Sequence, residues 1–502
     1  MNQRERIFAQ EGNAFPGRTY SEVVLEPAYH EAKTHLLGPM MAINKAHLIM
    51  LREQGLIGEE EANRIAAAIR RLDLAELSRS AYTGQFEDLF FAVESRLVQL
   101  AGDAAGNLHL ARSRNDMGVT MYRMVLREKL LQAISSALGL KEQLLLFAAE
   151  HVHTVMLGYT HTQQAQPTTL AHYIMAVADS LERDIQRLVS AYHTCNRSSM
   201  GAAALTTSGF PISRERMQEL LAFEGLVENS YDAIGGADYL GEAAAALQLA
   251  AVNLGRTVQD MLQWCTQEFG MLVVADPYVQ ISSIMPQKRN PVSFEHMRSL
   301  LSSAAGNAAT VLTMMHNTPF GDIVDTEDDM QPYIWRGMAV LEQVYRLFTC
   351  VIGTMEVNRD LLLKRAQESF ATVTELADTL VRSDQLSFRM SHHIVSLVVK
   401  QALRQGLPVT GITVEMVNEA ARAVLGRPLQ LGAEQLRQAL DPVHFVAIRK
   451  LPGGPAPSEM ERAIGNRQQR LSARQNWLSQ ARQTVEDGMR RLDQILAEWG
   501  EG

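Results

Sequence analysis

Apolar side chains recur at three- and four-residue intervals over long stretches of this chain, as at Met121, Met124, Val125, Leu130 and Leu131. That spacing places them on one face of an α-helix. Met117–Thr154 holds no proline and few glycines, so little interrupts the pattern. Leu170–Met200, Tyr239–Phe269 and Ser293–His316 read alike, while the period-two alternation of half-buried strands is rare. The chain is therefore expected to be all-α, with several helices of roughly 25–40 residues against a usual mean near 12. Within 239–269, the runs Ala244–Leu247 and Leu249–Val252 and then Leu254 leave little polar surface. A helix apolar most of the way round must be covered on most sides. This predicts a bundle shared between copies of the chain, hence a homo-oligomer.

Breakers divide the pattern into three blocks. Residues 1–115 mix short helices with Pro/Gly loops, and residues 116–365 hold the long helices. Residues 366–502 are expected to form a small C-terminal helical domain, with shorter helices at Ala371–Arg382, His392–Gln405 and Val414–Leu425. The segment LPGGPAPSEM, 451–460, reads as a loop by composition. A length of 502 residues fits about three domains of roughly 150 residues each.

Composition then narrows the class. With 46% hydrophobic and 21% charged residues, the chain is of ordinary globular type. Its net charge is -9 and its pI about 5.9, with no basic stripe to neutralise phosphates, so no nucleic-acid partner is expected. The opening MNQRERIFAQEG is polar and lacks the apolar core of a signal peptide. No run reaches the ~18 apolar residues that a membrane span needs. Cys195, Cys265 and Cys350 are odd in number and far apart, with neither a disulfide framework nor zinc-ligand spacing. The expectation is a cytoplasmic protein with free thiols, no membrane contact and no metal.

The stretch richest in chemistry is ISSIMPQKRNPVSFE, 281–295, between two long helical patterns. It reads as a polar loop entering a helix near Asn290–Pro291, where proline suits the first turn. Free N–H groups at a helix start, with Lys288 and Asn290 beside them, suit a carboxylate. On spacing alone, a surface connection with scattered polar residues fits as well.

SSIMPQKRNP, however, strongly resembles the signature of the fumarase/aspartase superfamily, usually GSSxMPxKxNP. Further blocks resemble the argininosuccinate lyase branch almost end to end: HLARSRND (109–116), GYTHTQQAQPTTLAHY (158–173), ATVTELADTLVR (371–382) and GGPAP (453–457). The resemblance implies a three-domain fold whose long helices join in a tetramer around a twenty-helix bundle. It also implies active sites built between subunits, and elimination of fumarate from an N-substituted aspartate without metal or cofactor. On that resemblance Ser282 is the base that removes a Cβ proton, and Lys288 helps to activate it. Ser283 and Asn290 would bind substrate beside them. Thr160 would bind a carboxylate, and His161 would help protonate the leaving nitrogen, oriented by Glu295. Ser113, Arg114 and Asn115 match the carboxylate-binding block, with Gln166 a weaker member. Some members of this branch are silent structural lens proteins, but the presence of Ser282, Lys288, Asn290, Thr160 and His161 argues against that alternative.

Two departures stand out. Ile281 occupies the place of the signature's glycine, which stiffens the loop. After Pro319, where argininosuccinate lyases carry a stretch like AYNKDLQEDKE, this chain reads FGDIVDTEDDM. Asp322 stands for a Tyr, Glu327 for a Gln and Met330 for a Lys, all expected to touch the amine half of the substrate. A site that lost a Lys and gained two carboxylates should reject an α-carboxylate and accept a cationic amine. A relative in this branch, ethylenediamine-N,N'-disuccinate lyase, cleaves such an aminopolycarboxylate. The expected substrate is therefore of that kind, with argininosuccinate as the alternative.

Overall fold

In the computed structural model, which describes residues 2–499, the long elements are helices and the strands are short. The N-terminal block contributes α1 (Leu37–Glu53), buried along most of its length, and α2 (Leu89–Ala101). Asp88 caps α2 by accepting from the Phe91 amide, the ordinary way an orphan N–H is satisfied. Next comes α3 (Arg114–Glu150), 37 residues long or about 55 Å at 1.5 Å per residue. Ser113 caps it in a reciprocal box with Asp116.

β1 (Val155–Thr160) and β2 (Gln163–Thr169) form an antiparallel hairpin. Its two turn residues, His161 and Thr162, have φ of 51° and 63°, the positive values of a type I′ turn. Further along come three helices, α4 (Leu170–Cys195), α5 (Ser230–Gly235) and α6 (Asp238–Trp264), and a small strand pair, β3 (Gln280–Ile281) with β4 (Arg289–Asn290). Then come α7 (Val292–Met315) and α8 (Gln331–Thr354). α3 packs on α4, α4 on α6, α6 on α7, α7 on α8, and α8 back on α3, so five long helices close a ring. The apolar run of α6 is largely buried in it, although Leu249 and Val252 stay about half exposed, at 45% and 51%.

The C-terminal block departs from expectation. Its short helices α9 (Val373–Asp384), α10 (Phe388–Arg404), α11 (Val414–Leu425) and α12 (Ala433–Leu440) enclose a core of their own, from Leu376 to Leu440. The last helix, α13 (Pro457–Glu498), leaves that core and lies along α3 and α1. Residues 366–502 are therefore not one packing unit. The physical reason is a stripe at seven-residue spacing, Ile464, Leu471, Leu478, Val485 and Leu492, all buried. Such a stripe stays on one helix face for many turns and needs a long partner, which α3 supplies. No described helix is long and apolar enough to cross a membrane.

Candidate active site

The site builds outward from the start of α3. Ser113 is fixed by its capping role, and its hydroxyl donates to Asn115 Oδ1 at 3.0 Å. Arg114 leaves the helix toward α2. There it pairs with Asp88 at 2.8 Å and Glu87 at 3.3 Å, with its guanidinium 4.8 Å from the Phe91 ring centre. Asp116 faces inward. One carboxylate oxygen accepts from the Ser113 amide at 2.9 Å, the other from the amides of Gly201 and Ala203, both at 3.0 Å. Burial outweighs these hydrogen bonds and pushes the Asp116 carboxyl up to about 6.

The acidic segment meets this first block within the same chain. A single π-helical turn, Asp325–Asp329, leads into α8; such turns concentrate at functional sites. Burial pushes the Glu327 carboxyl up to about 9, helped by a hydrogen bond to Asp322 and by the charges of Asp322 and Asp328, while Arg114 pulls it back. The carboxyls of Asp322 and Asp328 thus disfavour a negative charge on Glu327, and a cation placed among them would relieve that. Asp328 accepts from the Tyr122 hydroxyl at 2.7 Å. Burial raises the Asp328 carboxyl, and the Tyr122 bond only partly offsets this. Burial and the neighbouring carboxylates drive the Tyr122 phenol well above its ordinary range. Among the described residues, no group of three or more His, Cys, Asp or Glu is placed to hold a metal ion.

Met330 does not belong to this wall. It is fully buried in the main core, at 0% exposure, where α8 begins. The helical turn that carries Glu327 outward carries Met330 inward, which corrects its expected place at the substrate. In exchange the structure adds Glu87, Asp88, Tyr122 and Asp328. Tyr122 and Asp328 lie 206 residues apart, and no sequence pattern links them.

The signature loop is pinned at its base. β3 pairs with β4 through Gln280–Asn290 and Ile281–Arg289, and Arg289 donates to the Val274 carbonyl at 2.9 Å. Between those pairs, residues 283–288 are exposed, as are the paired Arg289 and Ile281, the latter at 73%. The Ser282 hydroxyl oxygen accepts from the Met285 amide at 3.1 Å and the Ile284 amide at 3.4 Å. Two N–H groups aimed at one oxygen favour negative charge there. Asn290 precedes α7, whose N-cap is Pro291, and Glu295 lies in the first turn of α7, exposed.

Thr160 and His161 sit exposed at the hairpin tip. Gln166 on β2 donates to Thr374 Oγ1 of α9 at 3.4 Å, which ties the hairpin to the small domain. Among the described residues, no hydrogen bond or ion pair joins Ser282, Ser283, Lys288 or Asn290 to Thr160, His161 or Arg114, nor Glu295 to His161. Within one chain, then, the signature loop, the hairpin tip, and the α3 start with its acidic wall are three chemical patches not joined by any such bond among the described residues.

The family profile described as Lyase matches residues 29–306, and that described as Argininosuccinate lyase C-terminal matches 370–447. The chain belongs to the argininosuccinate lyase branch of the fumarase/aspartase superfamily. It is 42% identical to "Argininosuccinate lyase 2" of Agrobacterium fabrum over 463 residues, covering 91% of this chain and 92% of that one. With "Argininosuccinate lyase 1" of Shouchella clausii it shares 34% over 488 residues, covering 97% and 98%. A solved EDDS lyase variant with bound fumarate superposes with a TM-score of 0.86 at 29% identity, over 99% of this chain and 98% of that one. A class II fumarase from Schistosoma mansoni, at 16% identity and a TM-score of 0.66 over 88% and 94% of the two chains, shares the fold. The protein is a carbon–nitrogen lyase of all-α, fumarase-type fold.

Proposed function

We propose that this lyase eliminates fumarate from an N-substituted aspartate whose amine half is cationic, such as an aminopolycarboxylate built on a diamine. The observation that carries the reading is the acidic cluster of Glu327 and Asp328, with Asp322 beside it and Arg114 close by, in which burial and the neighbouring carboxylates raise the Glu327 and Asp328 carboxyls. A protonated amine entering there offsets the crowded negative charge and restores the Glu327 charge that burial suppresses.

In the reaction, Ser282 takes the Cβ proton. The C–H electron pair forms the C=C bond, the Cα–N bond breaks, and its electrons leave on nitrogen, which is protonated with help from His161. The amides at Ser282 Oγ favour its alkoxide, and Lys288 and Asn290 stabilise the doubly charged aci-carboxylate. Ser113, Arg114, Asn115 and Thr160 hold carboxylates, Arg114 by its planar fork. Ser283 and Gln166 line the fumarate half, and Glu295 orients His161. No step calls for a metal or organic cofactor.

Because no hydrogen bond or ion pair joins the three patches within one chain, we place the complete site between copies, most simply in a homotetramer. The half-exposed Leu249 and Val252 of α6 support a shared bundle. Mixing inactive Ser282→Ala and His161→Asn proteins after partial dissociation should restore part of the activity; none regained would confine the site to one chain.

The deciding experiment is the reverse reaction. Fumarate is incubated separately with ethylenediamine, longer diamines, arginine, other amino acids and ammonia, and loss of the vinyl protons is followed by NMR. Addition of diamines but not arginine supports the reading. Addition of arginine alone replaces it with argininosuccinate cleavage, the second reading, which the names of the 42%- and 34%-identical relatives favour. A protein that adds nothing would be a silent structural relative.

A further inference from the structure

We infer that the short helix α5 is a spacer that fixes the acidic amine-reading loop relative to the carboxylate-binding start of α3, with Gly235 and Tyr231 as positioning residues. The inference rests on the functional reading above and extends it to residues that touch no substrate.

The brace can be followed bond by bond. Asp116 divides its two oxygens between the α3 start and the turn at 201–203. Arg214 holds the far side of that turn, donating to the carbonyls of Met200, Val227 and Glu228 at 3.1, 2.8 and 2.9 Å. Ala202 and Leu205 then pack with Ala233 and Ile234 of α5 in a small apolar cluster separate from the main core. At the end of α5, Gly235 meets the acidic loop backbone to backbone. A Cβ there would lie 2.9 Å from the Gly321 amide nitrogen and 3.2 Å from its Cα. At the start of α5, the Tyr231 ring stacks on Phe320, centres 6.0 Å apart and planes 6° apart. Asp322 is the next residue beyond these two contacts.

A backbone contact has no flexible side chain to absorb a clash, and close-packed surroundings transmit the displacement. Recognition tolerates about 0.5 Å of error, so a methyl group at Gly235 moves Asp322 out of register while leaving the signature loop alone.

The test is Gly235→Ala, assayed in the reverse reaction with an amine that the wild-type protein adds. The KM for the amine should rise about tenfold, with the KM for fumarate within twofold. Tyr231→Leu should shift the amine KM in the same direction, and Tyr231→Phe, which keeps the stack, should restore it. Equal changes in both KM values, or none, would overturn the inference while leaving the functional reading intact. Should Gly235→Ala not fold, the Tyr231 pair decides alone. A wild type that adds no amine would sink the functional reading instead. The same variants are then read through the pH dependence of Tm. A displaced Asp322 no longer helps to raise the Glu327 carboxyl, so the alkaline end of the pH range over which Tm falls should move to lower pH; an unmoved end would refute the brace.

Discussion

Replacing Glu327 by Gln keeps the shape and a hydrogen-bond donor toward Asp322 but removes the group that titrates. In the folded protein the Glu327 carboxyl is pushed from its ordinary 4.5 up to about 9. Between those values the folded state holds a proton that the unfolded chain has released. The stability contributed by this group therefore falls as pH rises through that window and is flat above it. Each unit costs about 1.4 kcal/mol, so near pH 7.5 the penalty approaches about 4 kcal/mol. Glu327→Gln should unfold at higher temperature than the parent, with a gap that widens steadily from about pH 6 to about pH 8.5. Thermal unfolding at one fixed protein concentration, without amine, measures it. A saturating diamine should stabilise the parent more at the alkaline end and the variant hardly at all. A gap that does not change with pH, or a variant less stable throughout, would refute the assignment of a buried, proton-holding Glu327.

Ser282→Ala should lower kcat by about 10²–10⁴-fold while leaving Tm nearly unchanged, because the signature loop is exposed; a variant that keeps even a tenth of the rate would remove Ser282 as the base. Arg114→Lys should raise the KM for the dicarboxylate by roughly the tenfold to hundredfold expected when a bidentate pair is lost, with kcat less affected. Met330→Lys should lower Tm sharply, since a charge buried without a partner costs several kcal/mol. Unaltered stability there would mean that Met330 faces the site after all. Asp322→Tyr with Glu327→Gln, Met330 left in place, should raise argininosuccinate cleavage, measured as arginine released; no gain would refute the cationic-amine reading.

The long helices were legible because their signal is redundant. α3, α4, α6 and α7 repeat an apolar face over many turns, and each observed end falls within a few residues of the expected one except at the C-termini of α3, α4 and α6, where turns or loops replace the expected last turn. α13 was missed because 451–460 reads as a loop by composition although the helix already begins at Pro457, while the stripe from Ile464 to Leu492 shows only when read at a period of seven. The hairpin was missed for another reason: β2 carries Gln163, Gln164 and Gln166 on an exposed edge, so no alternation marks it. At the site, local motifs survived as local structure, as at Ser113 and Ser282. Met330 did not, because sequence position along a turn says nothing about which side faces the core. Tyr122 and Glu87 enter through contacts made only after folding.

The path of α13 sets an order on how the chain can be made. Its far end is stapled to the N-terminal block: Asp493 pairs with Lys45, the Leu496 carbonyl accepts from Arg70, and Trp499 lies 4.2 Å beneath the Arg52 guanidinium. The first helices and the central bundle thus share a trough that only the final 42-residue helix fills. Until the residues of α13 have been made, a growing chain carries that apolar trough uncovered, in need of shelter from its neighbours on the polysome. A stop codon ahead of residue 457 would leave it open for the life of the molecule.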